Sequence, residues 1–263
     1  MPEVDGRIPF RAGGFAPRES VPAGAATLIL IVLLWQGAAS AGMIPSLFLP
    51  APFAVARTLW SLAISGELWR QASPSLYRLA VGWTLGTVAG VALGFAIGLS
   101  SLARSPGMAV VSALFPIPKI ALVPLFIIWF GIGEGSKIAT LGFGVFFPTV
   151  ISTAAGVDAV PRNLIRMAQS FGLSRAAILR RVVLPGAWPA ILSGFRISVS
   201  IGIVLLVAAE MIGAQRGIGA FVLQAGNLYD LDNLLAGIVL LSVFGLVLAW
   251  GIGRLERAFL RWR

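Results

Sequence analysis

Residues 158–187 read DAVPRNLIRMAQSFGLSRAAILRRVVLPGA and decide how the rest of the chain is understood. They form the one long basic stretch between apolar segments, with Arg162, Arg166, Arg175, Arg180 and Arg181. Pro161 suits a first helical position, and Leu164, Met167, Ala168 and Phe171 recur at i, i+3, i+4 and i+7, one apolar stripe on a helix. Arg162, Arg166, Gln169 and Ser170 take the other face. Gly172 supplies a left-handed stop, Ser174 can cap a second helix bearing three arginines, and Pro185 is expected to end it. The spacing predicts a cationic helical hairpin.

A basic amphipathic hairpin of this size fits a solvated loop at a membrane surface. The order Ala168, Gly172, Val182, Leu184, Pro185 narrows that reading, because it resembles the loop shared by inner-membrane permease subunits of bacterial ABC importers. The resemblance runs from about residue 49 to the C terminus. Residues 117–133 (IPKIALVPLFIIWFGIG) and 208–219 (AAEMIGAQRGIG) look like the branch importing nitrate, sulfonates, taurine, bicarbonate and related nutrients. It implies an all-α type I importer permease whose hairpin is a coupling helix seated in a groove of the ATP-hydrolysing subunit. Arg162, Arg166, Met167, Ala168, Phe171, Gly172 and Pro185 would then be the ATPase-coupling residues. The family motif usually opens Glu-Ala-Ala, where this chain has Arg166, Met167 and Ala168, so a salt bridge from that Glu does not carry over.

Composition agrees with a membrane protein. Of 263 residues, 58% are hydrophobic and 11% charged, with a mean hydropathy of +0.93. Soluble domains carry roughly a quarter of their residues as charge. The net charge of +10 does not point to nucleic acid, because the basic residues fall in short loops and tails beside apolar spans, where they set topology. Cysteine and histidine are absent, which excludes disulfide and thiolate chemistry and leaves no zinc-like ligand set. Neither a GxSxG nor a Walker A pattern occurs, so no cofactor is expected on this chain; the resemblance implies that ATP and magnesium are held by a partner ATPase.

Residues 1–20 mix Arg, Glu, Asp, Pro and Gly and read as a tail with too little apolar surface to fold alone. Six spans are expected, at about 22–41, 77–99, 108–129, 138–157, 188–212 and 234–252, each about 20 residues long. Ala39, Ser40 and Ala41 have the look of a signal-peptidase site, but the long, partly acidic leader argues against cleavage. An amphipathic helix with Val55, Leu59, Leu62 and Ala63 on one side is expected on the outer surface between the first two spans.

The second span carries Gly82, Gly86, Gly90, Gly94 and Gly98 at steps of four. The stripe advances about 40° per step at 3.6 residues per turn, so it is expected to serve close crossings with more than one helix; loose packing is the plain alternative. Pro116, Pro118 and Pro124 break the third span, which predicts an interior position where freed backbone groups can be satisfied.

Orientation follows from Lys and Arg. With the hairpin and both termini inside, the cytoplasm holds three Arg of the tail, Arg104, five of the hairpin and four at the C terminus, against Arg57, Arg70, Arg78, Lys137 and Arg216 outside. Charges within spans mark pathways, because each costs about 2.5 to 3.5 kcal/mol at mid-membrane. Lys119, beside Pro118, either lends positive potential to an anionic substrate or faces the cytoplasmic half of the cavity, or a neighbouring helix, without touching substrate. Arg196 is close enough to the interface to snorkel and reads as structural. Glu210 could pair with Arg216 or bond backbone of the turn at 213–219, a region that the resemblance places at the external gate.

The resemblance implies two ATP-binding subunits, a periplasmic or lipid-anchored solute-binding protein and a second copy of this chain, in a bacterial inner membrane. It leaves sulfonate, taurine, nitrate, and thiamine or flavin precursors open as substrates. A self-sufficient secondary transporter or channel is the competing class; it expects an intramembrane carboxylate for ion coupling or an internal repeat.

Overall fold

The computed structural model describes residues 21–259; the expected tail at 1–20 lies outside that range, as do Arg261 and Arg263. Among the described residues the secondary structure is helical throughout. The chain divides into two units, residues 1–54 and 55–263. The first contains α1 (Val21–Ser40), uncharged and exposed over residues 28–34, as suits a helix surrounded by hydrocarbon. Its Gln36 accepts from the Phe53 N–H at 3.0 Å and donates to Ser40 Oγ at 3.0 Å. The helix α2 (Pro52–Ile64) buries Val55 and exposes Phe53, Trp60 and Ile64.

The second unit is built on three helices: α3 (Glu67–Leu99), α6 (Glu134–Asp158) and α9 (Leu184–Gly213). The helix α6 lies between the other two and is the most buried span. A Cβ on Gly82 would stand 2.7 Å from Leu141 Cβ, one on Gly90 2.8 Å from Phe146 O, one on Gly94 2.9 Å from Val150 O and one on Gly98 2.7 Å from Val157 Cβ. On Gly86 it would collide with the backbone of Gly142. All five glycines therefore meet one helix, α6. The expectation that the stripe serves several helices is corrected, for a physical reason. Successive contacts advance four residues on both helices, so α3 and α6 run parallel and wind about each other, and the drift of the stripe is taken up by the coiling.

The helix α9 runs antiparallel to α6. A Cβ on Gly194 would stand 2.5 Å from Ser152 Cβ, and one on Gly156 2.9 Å from Ala187 O. Each contact uses small residues, which lets backbones approach where lipid supplies no hydrophobic driving force.

The expected third span is two helices, α4 (Ser101–Leu114) and α5 (Val123–Phe130), bent by 88° about a break that contains a 3-10 turn, Lys119–Leu122. It is not interior to this chain: Ile128, Trp129 and Phe130 are exposed, and Val111, Val123 and Phe126 alone are buried. At the break, Lys119 supplies a donor that one of the prolines lacks. Its Nζ donates to Leu114 O at 3.3 Å and to Phe115 O. Leu114 O is the carbonyl that residue 118 would have served had it not been proline.

Two further helices, α10 (Ile218–Asn227) and α11 (Leu231–Phe259), close the unit, and α11 covers α9 and α10. Counting the bent pair as one, the described residues hold six helical segments able to cross a membrane.

Gly86→Ala places a methyl group inside the backbone of Gly142 and should destabilise the detergent-solubilised protein by about 1–3 kcal/mol. Gly251→Ala, with nothing within 4 Å of the new Cβ, should leave the melting temperature unchanged.

Candidate functional site

Two polar centres stand at opposite ends of the α3–α6–α9 core. The first is the hairpin, formed by α7 (Arg162–Ser170) and α8 (Arg175–Ile178). Pro161 is the residue just before α7, one place earlier than a first helical position. The α7 helix ends in a Schellman turn: Gly172 (φ 72°) donates to Gln169 O at 2.9 Å and Leu173 to Ala168 O at 3.2 Å. Ser174 Oγ accepts from Ala177 N–H at 3.3 Å and caps α8.

Pro185 does not end this second helix. The chain continues through a π turn, Leu179–Val183, directly into α9, of which Pro185 is an N-terminal residue. The π turn shifts the hydrogen-bond register just ahead of the proline, so no mid-helix donor is missed.

The hairpin is rooted by Ala168, Ile178 and Val183, which pack with Val157, Val160, Ala187 and Ile191; Ile165 and Leu173 lie against them. The inward face is thus Ile165 and Ala168. Three residues of the stripe read from sequence point elsewhere: Leu164 is 41% exposed, Met167 54% and Phe171 74%. Arg162, Arg166, Arg175, Arg180 and Arg181 are exposed around them. An apolar ridge with a cationic rim is a shape for a groove on another protein. A bidentate pair joins the hairpin root to α4, with Arg104 Nη1 and Nη2 donating to Asp158 at 2.8 and 2.6 Å.

The second centre joins residues far apart in sequence. Arg78 on α3 donates to Glu134 on α6 through Nε and Nη2, each at 2.6 Å, and through Nη1 to Glu210 on α9 at 2.7 Å. Glu210 also accepts from Ser75 Oγ at 2.7 Å and from Gly219 N–H at 2.9 Å. Of the two partners expected for Glu210, the backbone of the 213–219 turn is realised, but its cation is Arg78 and not Arg216. Lys137 is buried and donates to Ile132 O at 2.7 Å and Gly133 O at 2.9 Å. A cavity of about 500 Å³ opens beside the cluster, lined in part by Arg78, Glu134, Lys137 and Arg216.

The sequence reading missed Gln71, Ser75, Arg78, Glu134 and Lys137, because Arg78 and Lys137 were taken for outer loop charges. The signal was present. Gln71, Ser75 and Arg78 recur at i, i+4 and i+7, a polar stripe along one side of α3. The same geometry bears on ion coupling. Glu210, the carboxylate that a proton- or sodium-driven carrier would need to release, is fully enclosed by an arginine, a hydroxyl and a backbone amide.

Between the two centres, Pro118 and Lys119 border a cavity of about 280 Å³ with Phe115, Ile117, Gly144, Ile201 and Leu205. Besides its two carbonyl partners, the Lys119 ammonium lies 5.0 and 4.9 Å from the ring centroids of Phe115 and Phe147. Arg196 reaches from α9 toward α11, its Nη2 3.9 Å from where a Cβ on Gly253 would stand. Among the described residues no group of three His, Cys, Asp or Glu could hold a metal ion.

A model of the binding-protein-dependent transport system inner membrane component matches residues 86–261. The chain is 38% identical to the taurine transport system permease protein TauC of Escherichia coli K12, over 90% of this chain and 88% of that one. It is 36% identical to the putative aliphatic sulfonates transport permease protein SsuC of the same organism, over 88% of each. It is 31% identical to the riboflavin transport system permease protein RibX of Chloroflexus aurantiacus, over 90% and 88%. Among solved structures, the inward-facing MetNI methionine ABC transporter superposes with a TM-score of 0.63 at 24% identity, covering 73% of this chain and 95% of that one, a likeness of fold. The chain therefore belongs to the inner-membrane component family of binding-protein-dependent transport systems, and is a multi-pass permease subunit of an ABC importer.

Proposed function

We propose that this chain forms the translocation pathway of an ATP-driven importer for a small organosulfonate such as taurine, handed over by a separate solute-binding protein. The relatives named for taurine and sulfonate transport, 38% and 36% identical, support this substrate class. The riboflavin relative, at 31%, keeps a flavin precursor as the alternative substrate.

The single observation carrying the mechanism is the exposed ridge of Leu164, Met167 and Phe171 amid arginines. In this reading two copies of an ATP-binding subunit, which hold the ATP and magnesium, each seat one hairpin. Their closure on ATP moves α6 and α9, which leave the hairpin directly, and shifts the population between inward- and outward-facing states. Arg162, Arg166, Met167, Phe171 and Gly172 act at that joint, Ala168 anchors it from within, and Pro185 starts the helix that carries the motion away. The hairpin and both termini face the cytoplasm of a bacterial inner membrane, as the distribution of Lys and Arg favours. Two copies of the chain enclose the pathway on a two-fold axis, in keeping with closed symmetric assembly. The cavity beside Pro118 belongs to the pathway wall, and Lys119 shapes it through the helix break, since its ammonium is engaged with carbonyls.

Phe171→Asp should leave the melting temperature of the permease unchanged and weaken its binding to the ATPase subunit by at least about 2 kcal/mol, or about 30-fold, in a pull-down titration. Unchanged affinity would remove the coupling role. Lys119→Met should lower the melting temperature and the maximal uptake rate while the KM for solute stays within about twofold, because an interaction that does not touch solute does not alter binding. Native mass spectrometry of the assembled transporter should give two permease chains with two ATPase chains.

A further inference from the structure

Beyond the hairpin end, four consecutive residues, the last two of the strap at 214–217 that joins α9 to α10 and the first two of α10, each engage a side chain of another part of the fold. Arg216 O accepts from Arg78 Nη1 at 2.7 Å, and the Gly217 N–H donates to Gln71 Oε1 at 3.0 Å. The Ile218 N–H donates to Ser75 Oγ at 2.9 Å and the Gly219 N–H to Glu210 Oε2 at 2.9 Å. Three of these four anchors stand on one face of α3, and the fourth ends α9. Ile218 and Gly219 open α10, so their N–H groups have no partner within that helix and are met here from outside it. Gly217, at φ 139°, passes so close that a Cβ would lie 2.5 Å from the Glu210 carboxyl carbon, which leaves room for glycine alone.

One residue joins this strap to all three core helices. The Arg78 side chain is 4% exposed and holds Glu210, which is sealed at 0%, and Glu134, which is 49% exposed on the cavity side. Its planar fork serves the two carboxylates and the Arg216 carbonyl at once, an arrangement a lysine ammonium cannot reproduce. At their other ends α6 and α9 run into the hairpin, where Gly156 meets Ala187 and Ala190. The core is thus fastened at both ends, with the close-packed glycines of α3 between them.

We infer that Arg78 is a positioning residue for transport: it makes the strap at 214–217 part of the same rigid body as the hairpin-driven helices, so the strap moves with them and has no joint of its own. This rests on the coupling role given to the hairpin above. The cluster acts through the backbone geometry it holds, and its variants should separate ATP hydrolysis from transport.

The test uses the full chain assembled with its ATPase subunit in lipid nanodiscs. Because the chain contains no cysteine, Trp69→Cys on α3 and Gln215→Cys on the strap can be spin-labelled selectively before the chain is assembled with its ATPase subunit. The distance within a chain between the two labels should change by less than about 2 Å between nucleotide-free and vanadate-trapped states, the limit that separates rigid-body from loop rearrangement. A larger change overturns the inference. Arg78→Lys should keep assembly and basal ATP hydrolysis within about twofold, yet lower solute moved per ATP about tenfold, the range of a lost coupling. Unchanged solute per ATP in that variant also overturns it, as does an equal loss of hydrolysis and transport, which marks a purely structural role. An unaltered complex that imports without hydrolysing ATP defeats the coupling reading itself; one that hydrolyses and imports while its strap moves independently defeats this inference alone.

Discussion

Close approach of three backbones governs this structure. The helix α6 is held between α3 and α9 because glycine, alanine, serine and threonine occupy the facing positions, Gly86 against Gly142 and Gly194 against Ser152 among them. In hydrocarbon there is no gain from moving one apolar surface onto another, so helix association depends on packing density and on polar contacts. A methyl group added at Gly86 cannot be absorbed by a side-chain shift alone, since the Gly142 backbone stands opposite. The parallel pairing of α3 with α6 then forces the intervening chain to cross back, which the bent pair α4 and α5 accomplishes. The antiparallel pairing of α6 with α9 brings the hairpin to one end of the core and leaves Glu134 and Glu210 together at the other.

Charge in this protein serves backbone first. Lys119 and Lys137 each donate to two carbonyls where a helix is broken or ended, and Arg78 holds a carbonyl of the strap and Glu210 an amide at the start of α10. Unsatisfied carbonyls and amides are costly away from water, and an ammonium with three donors can replace more than one missing N–H. Such a group is occupied. Its presence within the membrane region marks a break or a linker whose backbone it satisfies.

The two ends are built unlike each other. At the hairpin, apolar side chains are left outward on a short, tightly capped turn, and the seated face is small: Ile165, Ala168 and Leu173 hold it to the core. At the far end the polar atoms are turned inward and matched to one another. One end is left unfinished in the single chain, and the other is closed on itself.

Composition and local spacing alone were enough for the membrane class, the helical fold and the hairpin with its Gly172 turn and Ser174 cap, because each depends on residues within one or two helical turns. The glycine stripe was visible for the same reason, while the helix it meets was not: a step of four fits several crossings or one coiled pair, and α6 lies 59 residues on from Gly82 to Leu141. Which face of α7 is inward, and that Pro185 lies within a continuing helix, depended on the π turn and on contacts with Val157 and Ile191. The charge cluster was the deepest omission. Its bonds link residues 56, 132 and 138 positions apart, and a charge near the end of an apolar run reads as a loop charge until the fold supplies the carboxylates that bury it.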